Sequence, residues 1–95
     1  MQPLYAIVAV EVYCSWTQQP PRYRVYVDDE LFAERTFIWD GGYFLDEHLT
    51  ISGPIGKYQI RCENVDPELG EFAFKNIRLV DGYGTMQKDT LELHP

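Results

Sequence analysis

From Leu4 to Trp16 every even position is apolar: Leu4, Ala6, Val8, Val10, Val12, Cys14 and Trp16. The odd positions mix Tyr5, Ile7 and Ala9 with Glu11, Tyr13 and Ser15. Side chains on a strand point alternately to opposite faces, so this period of two predicts one buried and one mixed face. The segment is longer than the usual strand of about five to six residues. Its length predicts a bend, or a strand that serves two sheets in succession.

Gln18-Gln19-Pro20-Pro21 breaks the pattern, because consecutive prolines cannot donate ladder bonds. Tyr23, Val25 and Val27 then alternate with Arg22, Arg24, Tyr26 and Asp28, a second strand with a charged outer face. Asp28-Asp29-Glu30 is read as a turn that leads into a third strand, Leu31 to Ile38, completing a hairpin. Either face of that strand can be the buried one: Leu31, Ala33 and Phe37 compete with Phe32 and Ile38. Asp40-Gly41-Gly42 is a further turn with two permissive residues. Tyr43 to Ile51 reads as a strand with Tyr43, Leu45, Leu49 and Ile51 on one face, and residues 44–49 can alternatively form a helical turn.

After the Ser52–Gly56 loop, Tyr58, Ile60 and Cys62 point inward between Lys57, Gln59, Arg61 and Glu63. Asn64 to Gly70 is a turn region, and Glu71 to Val80 is the last long strand. Its apolar phase slips from Phe72 and Phe74 to Ile77 and Leu79. One extra residue near Lys75-Asn76 restores a single face, which predicts a β-bulge. Asp81-Gly82-Tyr83-Gly84 turns again, and Thr90 to Leu93 adds a short strand at an edge. No segment sustains a helical period. The expectation is one all-β domain over residues 1–95, an antiparallel, jelly-roll-like β-sandwich of six to eight strands.

Composition narrows what such a domain can do. The chain has 95 residues, of which 45% are apolar. A domain of this size buries about two thirds of its surface and needs no metal or disulfide to hold a core. Cys14 and Cys62 read as buried thiols, with a disulfide between them as the alternative. Their spacing suits no zinc site. The net charge of −7 argues against nucleic acid, which needs a basic stripe. No apolar run approaches the roughly 20 residues of a membrane span. The start of the chain lacks a signal-peptide pattern, so synthesis in the cytoplasm is expected.

Catalytic chemistry is sparse. Ser15 and Ser52 lie in no nucleophile elbow. Asp46-Glu47 and Asp28-Asp29-Glu30 offer carboxylates in sequence, but strand alternation separates Asp46 from Glu47, and all of them read as solvated charges. Asp28, Asp29, Glu30, Asp40, Asp66, Glu68 and Asp81 sit in turns and could gather at a calcium site, but no acidic loop motif is present. They read as ordinary turn residues, and neither a metal nor a cofactor is expected.

Aromatics are the richest clue: two Trp, seven Tyr and five Phe. Trp39, Tyr43 and Tyr83 stand beside glycine turns, where they can stack on sugar rings or anchor a protein partner. Trp39 can alternatively plug an open end of the sandwich. Tyr5, Tyr13 and Tyr26 alternate outward, which suggests an outer face covered by another subunit. Arg22, Arg24 and Arg35 either pair with a partner's carboxylates or form a solvated face.

Three segments together resemble a known pattern. They are Tyr23–Leu31 (strand, acidic turn, return strand), Gly53–Arg61 (Pro, Gly, then Tyr-x-Ile) and Phe72–Leu79 (closing with Ile-x-Leu). The pattern resembles small jelly-roll modules of two groups: calcium-dependent xylan-binding modules and short virion accessory proteins of tailed bacteriophages, cyanophages included. The acidic calcium loop of the first group is not matched. The resemblance to the phage group implies a non-enzymatic virion component, such as a head decoration (cement) protein. Its partner would be the major capsid protein or another virion protein, with homo-oligomers also expected. The alternative is a carbohydrate-binding module that recognises a glycan through Trp39, Tyr43 and Tyr83, with Asp40 or Asp81 accepting hydroxyls.

Overall fold

The structure, a computed structural model, describes residues 4–39 and 42–95. Asp40 and Gly41, in the turn expected before Tyr43, lie outside the described residues. Eight strands form among those described: β1 (Leu4–Trp16), β2 (Arg22–Val27), β3 (Glu30–Thr36), β4 (Phe44–Gly53), β5 (Gly56–Asn64), β6 (Gly70–Gly82), β7 (Thr85–Gln87) and β8 (Thr90–Leu93). They build a three-stranded sheet in the order β4-β1-β6 and a five-stranded sheet in the order β3-β2-β5-β8-β7. All pairings are antiparallel. The chain is an antiparallel β-sandwich. Only β2–β3 and β7–β8 are hairpins within a sheet, so the path winds from sheet to sheet.

The even residues of β1 face the core. Ala6, Val8, Val10 and Val12 are fully buried, and Cys14 nearly so. Opposite them, Tyr23 and Val25 of β2, Ile60 of β5, and Leu91 and Leu93 of β8 close the core from the five-stranded sheet. β1 does not serve two sheets as its length suggested. It stays at the centre of one, matched by β4 from Leu4↔Gly53 to Tyr13↔Phe44 and by β6 down to Trp16↔Gly70. Two long neighbours satisfy both of its backbone edges, so nothing forces it across. Ala9 faces outward yet is fully buried. Its cross-strand neighbours are His48 and Arg78, whose long side chains close over the small methyl.

The expected bulge is present. Ala9 pairs with Arg78 and Glu11 with Lys75, which leaves Asn76 and Ile77 opposite Val10 alone. Asn76 takes a left-handed φ of 55° and donates from Nδ2 to Glu11 Oε2 at 2.7 Å. Phe72, Phe74, Ile77 and Leu79 thereby share the core face. A second irregularity was not foreseen: Ile7 pairs with Asp81 and Val8 with Leu79, so Val80 is extra and half exposed. β6 then runs on through Asp81 and Gly82, where a turn was expected. Gly82 and Gly84 have φ of 94° and 108°, and a Cβ on either would strike the backbone of Tyr5 or Glu92. Only glycine lets β6 pass to the other sheet so abruptly. The sharp crossing creates β7, which places β8 between β5 and β7 instead of at an edge.

Three further expectations change. Residues 44–49 are strand and not a helical turn. Tyr43 precedes β4 and is 65% exposed, so it does not join Leu45, Leu49 and Ile51 on the buried face. Glu47 takes that position instead. β3 ends at Thr36, two residues early, because Phe37 leaves the ladder: its N–H donates to Pro21 O at 2.9 Å and its ring is fully buried. Both faces of β3 are therefore mostly exposed.

Asp28 and Asp29 have φ of 50° and 65° and close the β2–β3 hairpin as a two-residue turn. Both central residues of such a turn need φ > 0, and the second is most often glycine. Asp29→Gly is expected to raise stability by about 1 kcal/mol by relieving the left-handed backbone, measured as a higher urea midpoint. The weak contact it removes, Arg61 Nε to Asp29 at 3.4 Å, is solvent-exposed and contributes little.

Candidate functional site

The aromatic side chains divide between the two ends of a molecule 49 Å long. At one end Trp39 packs edge-on to Phe37 with centroids 5.3 Å apart. Trp16 Nε1 donates to the Trp39 carbonyl at 2.8 Å, which ties the post-β3 segment to the end of β1. Phe44 stacks on Tyr13 at 5.1 Å, because the β1–β4 register places them opposite each other. Tyr13 is further fixed by donating to Glu11 Oε1 at 2.7 Å, with Lys75 Nζ over its ring. Ile38, Trp39, Tyr43 and Phe44 stay exposed, from 39% for Trp39 to 65% for Tyr43. Trp39 is thus anchored on the buried Phe37 while 39% of it stays exposed.

Tyr83 lies elsewhere. Its N–H donates to Tyr5 O and its ring packs edge-on against Tyr5. Tyr5 and Trp16 are separated by most of β1, about 36 Å at ~3.3 Å per residue. Trp39 and Tyr83 are therefore not brought together, and a stacking platform of Trp39, Tyr43 and Tyr83 does not assemble. Tyr26 is on the outer face of the five-stranded sheet, beneath the Arg61 guanidinium at 4.1 Å.

The arginines are engaged within the chain. Arg22 donates from Nε and Nη2 to both Asp66 oxygens at 2.9 and 3.0 Å, and its backbone N–H adds a third bond to Asp66. Arg24 donates to Glu34 at 2.6 Å, and Arg35 donates from Nε to Glu47. The turn carboxylates act in the same way. Asp28 accepts the Gln59 N–H and Asp81 the Gly82 N–H, each at 2.8 Å. Among the described residues no group of three or more His, Cys, Asp or Glu side chains is placed to hold a metal ion. Ser15 and Ser52 are exposed on β1 and β4, and His48 Nε2 faces Asp46 at 3.2 Å.

Glu47 is the residue that the sequence reading misplaced. It was read as a solvated charge, but it is only 3% exposed on the core face of β4. Its partner Arg35 reaches from β3, so the ion pair joins the open edges of the two sheets. Alternation held the signal: counting by twos from Leu45 to Leu49 and Ile51 puts Glu47 in the inward phase. The Tyr23 hydroxyl is enclosed without a hydrogen-bond partner among the described residues. Burial, then the Glu47 charge, pushes the Tyr23 pKa well up. The same two causes push the Cys62 thiol up to about 11. Cys14 and Cys62 are both free thiols. Beside this seam an open groove of about 440 Å³ runs between β3 and β4, with Val27 and Ile51 in its lining and Leu31 and Phe32 along β3.

Comparisons with protein-family models, curated proteins and solved structures give no match.

Removing Arg35 alone strands a buried carboxylate. Arg35→Ala is expected to cost about 3 kcal/mol, and Arg35→Ala with Glu47→Leu to recover most of it; urea melts of the three proteins measure the coupling. A second expectation concerns acid. The Arg22 guanidinium holds the Asp66 carboxyl below its ordinary value of 3.8, and Arg78, then His48, do so for Asp46. A carboxylate with a lowered folded pKa stabilises the fold above its unfolded value, and this is lost as pH falls through the folded one. The melting midpoint is expected to stay level down to about pH 5 and to drop below about pH 4. Asp66→Asn should flatten that drop.

Proposed function

We propose that this chain is a non-enzymatic interaction protein that docks on a larger assembly. The carrying observation is the exposed apolar end formed by Ile38, Trp39, Tyr43 and Phe44. Large apolar and aromatic side chains gathered on one rim, two of them braced by Phe37 and Tyr13 beneath, suit burial against a partner. The braces reduce the rotamer freedom lost on docking, which favours association. The arginines elsewhere on the surface are paired with carboxylates of the chain, and the net charge of −7 suits solubility before assembly.

The assembly we propose is a virion, with the major capsid protein or another virion protein as partner and the host cytoplasm as the place of synthesis. The resemblance of Tyr23–Leu31, Gly53–Arg61 and Phe72–Leu79 to phage jelly-roll modules supports this choice. An enclosed catalytic cleft plays no part in the reading.

The test is occupancy on particles. Purified protein is mixed with tailed-phage particles of its source and sedimented, and native particles are analysed by mass spectrometry. The expected result is co-sedimentation at a fixed stoichiometry, weakened at least about tenfold by Trp39→Ala with Tyr43→Ala. Absence from native particles together with no co-sedimentation overturns the proposal. Binding to a glycan array that Trp39→Ala abolishes, with no particle binding, would move the reading to a carbohydrate-binding module.

A further inference from the structure

The five-stranded sheet ends at β3, whose outer backbone edge meets no strand among the described residues. Unpaired edges invite strand addition and are usually short, bulged or covered. Of the other three edges, β7 has three residues, β6 is interrupted twice, and β4 runs for ten without a break, so length alone does not single out β3 and the charge pattern does. β3 has seven, and Leu31 and Phe32 stay 56% and 45% exposed beside that edge.

We infer that β3 pairs with β3 of a second copy of this chain, making a twofold-symmetric dimer with one continuous sheet. The argument rests on register and charge. β3 carries one extra residue, Phe32, between the pairs Val25↔Ala33 and Tyr26↔Leu31. Glu30 and Arg35 are five residues apart, and in a regular strand they would face opposite sides. The extra residue brings both to the inner side: Glu30 pairs with Val27 and Arg35 with Tyr23, both inward positions.

A twofold axis at Ala33 then aligns Ala33 with Ala33, Leu31 with Glu34, and Glu30 with Arg35 of the second copy, with Phe32 outside the ladder in each strand. Opposite charges directly across a strand pair are favourable, and symmetry supplies the pair twice. The groups are available. Glu30 has no ionic partner among the described residues. Arg35 gives Nε to Glu47, and its half-exposed side chain keeps the terminal nitrogens for a second carboxylate. Glu34 is already neutralised by Arg24 on the outer face, so the acids of the two strands do not repel there. The proposal is independent of the virion reading, which uses Ile38, Trp39, Tyr43 and Phe44 along the β3–β4 connection and not the β3 edge.

The experiment uses the full chain in solution. Sedimentation velocity and light scattering between about 1 µM and 1 mM should show a species of twice 11.1 kDa. Ala33→Cys should cross-link to a dimer with a short bismaleimide, whereas wild type (Cys14 and Cys62 only) and Thr85→Cys on β7 should not. Glu30→Arg, on an exposed side chain, should raise the dissociation constant at least about tenfold with an unchanged circular dichroism spectrum. A monomer at every concentration overturns the proposal. So does a dimer that is indifferent to Glu30→Arg and does not cross-link through Ala33→Cys, because it would use another surface.

Discussion

The alternation of β1 is the constraint on which the remaining architecture rests. Its inward residues are small or β-branched, so the strand lies flat and leaves room for larger rings from the opposite side. Tyr23 and Phe37 use that room, meeting Phe72 and Phe74 of the neighbouring β6 with ring centroids 5.4–6.0 Å apart. Both edges of β1 are paired along nearly their whole length. A polar residue at Val8, Val10 or Val12 would therefore meet neither water nor a partner, and the cost would fall on both sheets.

Much of this was legible because strand alternation is a local signal. The inward phases of β1, β2 and β5 could be counted directly, and the bulge at Asn76 was visible because Phe72, Phe74, Ile77 and Leu79 could share a face in only one way. The extra residue at Val80 left no such trace, since Leu79 and Val80 are both apolar and either could be inward. β7 was hidden for a different reason. Its three residues follow a crossing that depends on Gly82 and Gly84 having no Cβ near the Tyr5 and Glu92 backbones, a non-local steric fact.

The candidate surfaces were less legible than the fold. Residue type marked Trp39, Tyr43 and Tyr83 alike, but only β1's length shows that Tyr83 sits at the far end. Arg22, Arg24 and Arg35 looked available because their carboxylates come from 10 to 44 residues away. Pairing at that range is set by which strands become neighbours. The acids that hold arginines cancel in the sum, so the −7 charge comes from carboxylates outside those pairs, several of them in turns.

The two long sides of the sandwich are closed by unlike means. On one side β6 passes into β7 through only Tyr83 and Gly84, so the sheets are joined by covalent chain too short to part. On the other, β3 and β4 are linked by a longer connection and by Arg35 with Glu47. On that side too β4 crosses to β5 through only Pro54 and Ile55, so the Arg35–Glu47 pair holds the β3 edge and not a whole sheet. The Tyr23 hydroxyl, enclosed without a partner among the described residues, is the polar group that would gain a hydrogen bond from water if that pair opened.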